Sequence, residues 1–263
     1  MADLTSVTRP RFQTGRATVA LILREMSSTY GRSPGGYIWA ILEPAAAIAV
    51  LSLVFSYAFK SPSLGTNFPL FYATAYLPFM MFTDISTKIA QSIMFSRQLL
   101  SYPSVTIIDA LLARFLLSFI THIMVFYIVL LGIHQIYDLR LIVDFPTVFV
   151  ALIATAVFAL AVGVVNCFLF TRFPVLRTVW SILTRPLFII SGVFFLYEDV
   201  PVELQPYLWY NPVLHLTGMM RDGFYATYDA NYVSLVYLFL LSCILLTIGL
   251  LLLKRYYRDL LEH

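Results

Sequence analysis

Apolar and polar positions along this chain alternate on the scale of whole helices. Six apolar runs, at residues 37–59, 68–89, 105–133, 145–170, 178–197 and 232–253, are separated by short polar segments. Roughly 20 helical residues cross about 30 Å of hydrocarbon, so the pattern predicts six transmembrane helices. Ahead of them, Val19, Ile22, Leu23, Met26 and Tyr30 share one helical stripe, with Arg24, Glu25 and Ser28 off it. Such an amphipathic helix, residues 17–30, is expected to lie in the cytoplasmic interface. Leu21, on the polar side, keeps open a soluble helix packed on a partner. Residues 198–231 carry Pro201, Pro206 and Pro212 among Leu204, Tyr207, Leu208, Trp209, Val213 and Leu214. These runs are too short to span and too apolar to float, which predicts a re-entrant outer helical hairpin between spans five and six, shielded by protein. The fold class is therefore an all-α membrane protein in a single transmembrane domain. Residues 1–36 form a cytoplasmic tail and interfacial helix, 37–253 the six spans and 254–263 a second cytoplasmic tail.

Composition agrees with this reading and excludes others. The chain is 60% hydrophobic and 12% charged, against roughly 45–50% and 25% for soluble domains. A cytosolic enzyme or a nucleic-acid module does not look like this. The net charge of +3 is a cancellation, because twelve of the 17 Lys and Arg fall in segments on the N-terminal side, while only Lys60, Arg140 and Arg221 fall opposite. Seven acids, Asp138, Asp144, Glu198, Asp199, Glu203, Asp222 and Asp229, share that opposite side. The positive-inside rule then predicts a multi-pass protein with both termini cytoplasmic. The first 16 residues are polar, so no cleavable signal is expected and the first span inserts the chain. Cys167 and Cys243 lie in apolar runs and are read as core fillers.

A search for chemistry finds little. The lysines Lys60, Lys88 and Lys254 do not follow glycine, so there is no phosphate-binding loop for ATP. His122, His134, His215 and His263 are scattered, and neither a catalytic site, a metal site nor a cofactor is expected. Charges inside spans are functional candidates because each costs at least roughly 2.5–3.5 kcal/mol at a helix centre. They are Glu43, Asp84 with the edge-lying Lys88, Asp109, Arg114 and Arg185. Asp109 reads equally well as a helix-start residue; Asp109 and Arg114, five apart, do not face each other. Aromatic residues make up 16% of the chain. They suit an interfacial belt, and equally a wall against sugar C–H faces or lipid. Leu261-Glu262-His263 is read as the remnant of an expression tag.

Three stretches carry a resemblance. Gly36-Tyr37-Ile38-Trp39-Ala40-Ile41-Leu42-Glu43-Pro44 follows Arg24-Glu25 and Tyr30-Gly31-Arg32, and Ser101-Tyr102-Pro103 leads through Asp109 to Arg114. Ser191-Gly192-Val193-Phe194-Phe195 precedes Pro201, Leu204, Asn211-Pro212 and Arg221. In this order they resemble the type-2 ABC-exporter permeases of the capsular polysaccharide export group, the inner-membrane subunits of Gram-negative bacteria. The chain departs from the second pattern at Ser104-Val105-Thr106-Ile107-Ile108.

The resemblance implies a homodimer in the bacterial inner membrane, two copies of a separate cytoplasmic ABC ATPase holding ATP and Mg, and a lipid-linked acidic polysaccharide. It also implies handover to a periplasmic co-polymerase-type protein and an outer-membrane export channel; nucleic acid has no part. By the same resemblance, a conduit between protomers would be lined by Trp39, Glu43, Phe55, Arg185, Phe188, Phe194, Phe195 and Tyr197. Arg16, Arg24 and Arg32 would meet the lipid head and acidic sugars. Phe95, Arg97, Leu99, Tyr102 and Pro103 would dock the ATPase. Alternatives are a permease for O-antigen or teichoic acid, an ion-coupled secondary transporter, which would work without an ATPase, and a membrane-embedded glycan-processing enzyme, for which no catalytic constellation is found.

Overall fold

The computed structural model describes residues 13–29, 35–100 and 105–257. Among the described residues there are helices and no strand. They are α1 (Gln13–Thr29), α2 (Gly36–Ala58), α3 (Phe68–Ala90), α4 (Ser92–Leu100), α5 (Ile107–Tyr137), α6 (Phe145–Arg172), α7 (Val175–Ile190), a 3-10 turn (Tyr197–Asp199), α8 (Gln205–Trp209), α9 (Pro212–Phe224) and α10 (Leu235–Arg255).

Local chemistry sets several starts. Asn67 caps α3 by accepting the Leu70 N–H at 2.9 Å, with Pro69 in the first turn where no N–H is required. Thr106 and Asp109 form a capping box on α5. Thr106 Oγ1 accepts the Asp109 N–H at 3.2 Å, and Asp109 Oδ2 accepts the Thr106 N–H at 2.9 Å. Asp109 is thereby placed as a helix-start residue. Ser234 caps α10 through the Tyr237 N–H.

Among the described residues, four helices are long and apolar enough to cross a membrane: Ile38–Ala58, Ile107–Tyr137, Phe145–Arg172 and Leu235–Arg255. Two of the six apolar runs differ. Helix α3 follows its run almost residue for residue, but it carries Asp84 and Lys88 and is enclosed by α2, α5, α6 and α9. The run 178–197 is not one helix. Helix α7 has 16 residues, about 24 Å at 1.5 Å each, and stops at Ile190. Gly192 then takes φ +73°, a left-handed conformation that glycine adopts without strain.

The core lies along α6, with α3 on one side and α10 on the other, and backbones approach closely there. A Cβ added at Gly163 would come 2.8 Å from Ile89 Cβ; one at Gly249 would come 2.9 Å from the Val165 backbone nitrogen. Small residues of this kind let apolar helices associate by packing alone. Helix α9 folds back into the bundle and is buried along most of its length. Helix α7 has no buried side chain.

The faces of α1 differ from the sequence pattern. Thr18, Leu21 and Glu25 point inward, Leu21 clusters with Ala110 and Ala113 of α5, and Val19 and Leu23 are exposed. Leu21 belongs to the buried face because Glu25, one turn on, reaches an arginine of α5. Cys167 fills the core, whereas Cys243 is exposed on α10.

Replacing Gly249 with leucine is expected to cost about 1–3 kcal/mol by overpacking and to lower Tm in detergent. Nothing lies within 4 Å of a Cβ at Gly132, so Gly132→Ala leaves Tm unchanged or raises it.

Candidate functional site

Three of the conduit candidates meet. Phe55 of α2 lies 5.5 Å from Phe194, centroid to centroid, and Phe194 lies 5.2 Å from Phe188 of α7. Tyr72 of α3 joins them at 5.3 Å from Phe55, and Phe79 at 5.0 Å from Phe188. The result is an aromatic wall where α2, α3 and α7 converge. Tyr72, Tyr76 and Phe79 were not read as site residues. Their signal was an aromatic side chain every three or four positions through the second run.

The wall is held from behind by the segment after α7. Arg221 of α9 is buried, its Nη1 donates to the Phe195 carbonyl at 2.9 Å and its Nη2 to the Val193 carbonyl at 3.2 Å. Its guanidinium sits 4.1 Å over the Phe71 ring, a second favourable partner for a buried cation. Sequence reading placed Arg221 in the outer loops; the structure puts it inside the bundle. Asn211 Nδ2 donates to the Ile190 carbonyl at 3.0 Å and to Ser191 Oγ at 3.2 Å, and Thr217 Oγ1 donates to the Ser191 carbonyl at 2.8 Å. Tyr197 donates to the Gln205 carbonyl at 3.2 Å and stacks on Tyr232 at 4.2 Å. Phe195 is half-buried, and Arg185 stands exposed on α7.

Trp39 and Glu43 sit elsewhere. Both are exposed on α2, beside a cavity of about 240 Å³ shared with Asp84 and Lys88 of α3 and with His122 of α5. Asp84 Oδ2 accepts from Lys88 Nζ at 2.8 Å and from His122 Nε2 at 2.7 Å. The i,i+4 spacing of Asp84 and Lys88 could have revealed the first pair. Nothing in the linear sequence joins His122 to them.

Just beyond Lys88, α4 lies against α1 and α5. Arg114 is buried; its Nε sits 3.0 Å from Glu25 Oε1, and its Nη1 donates to the Lys88 carbonyl at 2.6 Å. The Phe95 ring lies 4.1 Å under Arg114 and 5.5 Å from the exposed Arg24. Leu99 is partly buried against the Leu21 cluster, while Arg97 is exposed and borders a cavity of about 300 Å³ with Arg177. Arg16 is exposed on α1. Arg32, Tyr102 and Pro103 lie outside the described residues.

A family model described as ABC-2 type transporter matches residues 16–225. The chain belongs to that family. It is 30% identical over 243 residues to the polysialic acid transport protein KpsM of Escherichia coli, spanning 92% of this chain and 94% of the relative. It is 28% identical over 241 residues to the capsule polysaccharide export inner-membrane protein CtrC of Neisseria meningitidis serogroup A, spanning 92% and 91%. It is 29% identical over 246 residues to the capsule polysaccharide export inner-membrane protein BexB of Haemophilus influenzae, again spanning 92% and 91%.

Within this member of the ABC-2 family, the residues that carry the resemblance form joints. Glu25 of the first stretch pairs with Arg114 of the second. Ser191, Val193 and Phe195 of the third are held by Asn211 and Arg221 further along it.

Removing one partner of a buried ion pair leaves an uncompensated charge, at roughly 3–5 kcal/mol. Glu25→Ala is therefore expected to lower stability by that order in equilibrium unfolding from mixed micelles, and Glu25→Ala with Arg114→Met to recover part of the loss.

His215 gives a pH dependence. Its Nε2–H donates to the Trp209 carbonyl at 2.7 Å, and Nδ1 accepts the Ser234 N–H at 3.1 Å, so the ring is neutral. Burial pushes its pKa below the ordinary value, and protonating Nδ1 would break the bond to Ser234. A group buried neutral adds stability above its unfolded pKa, about 6.5, and loses it as pH falls below. Tm is expected to drop between pH 7.5 and 5.5, and His215→Gln to flatten that drop.

Proposed function

We propose that this chain is the membrane-spanning permease subunit of an ATP-driven exporter that moves lipid-linked capsular polysaccharide across the bacterial inner membrane. The observation that carries the reading is the end-to-end similarity to relatives named for polysialic acid transport and capsule polysaccharide export. The family supports a permease without its own ATPase domain. ATP and Mg then belong to two copies of a partner ATPase.

Six crossings by α2, α3, α5, α6, α7 and α10 account for the apolar runs, with α1 in the interface and α8 and α9 as the re-entrant hairpin. Both termini are then cytoplasmic. A homodimer is supported by the uncovered apolar faces of α2 and α7, where Ile38, Leu42, Leu53, Val179, Ile182 and Leu183 are exposed. The aromatic wall of Phe55, Phe188 and Phe194 lies between those faces and would offer rings to the apolar sides of sugars. Phe195, Tyr197 and Arg185 lie on the same connection and helix, towards the outer exit. From there the glycan would pass to a periplasmic co-polymerase-type protein and an outer-membrane channel.

On the cytoplasmic side, Arg16, Arg24 and Arg32 would attract a phosphate-bearing lipid head. Helix α4 presents Arg97 and one edge of Phe95 as the ATPase dock, with Tyr102 and Pro103 following in sequence. Anchorage of Phe95 beneath Arg114 suits a dock that transmits force to α1 and α5.

The test uses a capsule-forming strain whose own permease gene is replaced by this one together with its ATPase. Arg97→Glu with Phe95→Asp is expected to reduce ATPase co-purification and surface capsule at least about tenfold, since opposed charge at an interface costs several kcal/mol. Full capsule with an intact complex would remove α4 as the dock. Absence of any glycan export by the unaltered protein would remove the export reading itself.

A further inference from the structure

Gly36, Trp39, Ala40 and Glu43 fall on one stripe of α2 at i, i+3, i+4 and i+7. That stripe faces Asp84, Lys88 and His122 across the 240 Å³ recess. Gly36 and Ala40 contribute small side chains to its lining. The space equals roughly eight waters at about 30 Å³ each, enough for one small polar group. From Gly36, at the start of α2, to Glu43 is about 10 Å along the helix. The recess therefore runs from the membrane boundary two turns inward.

Charge decides what fits. Asp84 is neutralised by Lys88 and hydrogen-bonded by His122. Glu43 is the additional carboxylate, and among the described residues no hydrogen bond or ion pair reaches it. Two carboxylates face one ammonium in the lining, Lys88 and His122 are both bonded to Asp84, and no arginine lines the recess, so the lining has no cation left over for phosphate or acidic sugars. A carboxylate that no protein cation balances at the membrane boundary attracts one from its surroundings. Trp39, 58% exposed, lies one turn before Glu43 and presents an indole, the ring that binds cations best. Pro44 has no N–H, so the Ala40 carbonyl also lacks its helical donor.

We infer that this recess binds the primary ammonium headgroup of an aminophospholipid from the cytoplasmic leaflet. Glu43 accepts its N–H groups and balances its charge, Trp39 covers it, and the Ala40 carbonyl is a second acceptor. The depth matches that of lipid headgroups, where tryptophan also concentrates. The inference rests on α2 entering the bilayer at Gly36 and not on what the protein exports.

The full-length protein in nanodiscs of phosphatidylethanolamine and phosphatidylglycerol, in equal amounts, is analysed by native mass spectrometry for retained lipid. The unaltered protein is expected to enrich phosphatidylethanolamine about tenfold, the equivalent of ~1.4 kcal/mol. Glu43→Gln, isosteric and exposed, abolishes the enrichment, Trp39→Ala weakens it and Trp39→Phe restores most of it. Phosphatidylcholine, which has no N–H, is retained less but with the same dependence on Trp39. Equal retention of both lipids by the unaltered protein overturns the assignment, as does enrichment unchanged in Glu43→Gln and Trp39→Ala. A glycolipid held in place of phosphatidylethanolamine and released by the same substitutions also overturns it, and would make the recess a glycan subsite.

Discussion

A guanidinium shut away from water must find acceptors within the protein, and in this chain that requirement determines where the helices break. Arg221 is fully enclosed, and the carbonyls to which its two terminal nitrogens donate belong to Val193 and Phe195. Carbonyls inside an α-helix are already engaged, so the chain has to leave helical geometry after Ile190 to offer them. The short α7, the left-handed Gly192 and the inward Phe194 ring follow from this demand. Arg114 repeats the logic at the opposite end, drawing on Glu25 and on the Lys88 carbonyl, which lies just before the α3–α4 junction. Each arginine also lies against an aromatic face, Phe71 or Phe95, which shields it without adding a competing charge.

The linear sequence carries one-dimensional information well. The apolar runs at 37–59, 68–89 and 145–170 coincide with helices to within a few residues, since desolvating a helix of that length leaves a long apolar signature. The third run extends further than expected, to Tyr137, because residues after Ile133 continue the helix beyond the apolar segment. The fifth run has the apolar pattern of one helix, yet α7 ends at Ile190. Apolar residues flank both a helix and a buried turn, and only the partner, Arg221, distinguishes them.

Which of the candidate residues meet is not legible in the sequence. Phe55, Phe188 and Phe194 do converge, but Trp39 and Glu43 belong with Asp84, Lys88 and His122 in another place. Spacing reports neighbours on one helix; it does not say which helices meet. Leu21 shows the same limit, since the apolar stripe of α1 leaves it on the polar side, whereas its burial is set by the ion pair one turn away. Asp109 does have a local signal, because Thr106 three residues before it is the sequence mark of a capping box.

Gly163 and Gly249 bring α3 and α10 to α6 with little side chain between, so these three helices share one stiff block. Rearranging them would require many packed atoms to move together. Helix α7 has no buried side chain, and among the described residues α2 buries just Pro44, Ile48 and Ser52, so little packing opposes their displacement, and regions of that kind open at low free energy. The molecule is thus mechanically divided. Its fixed reference is the α3, α6 and α10 block, and the helices left to shift against it are α2 and α7, which contribute Phe55 and Phe188.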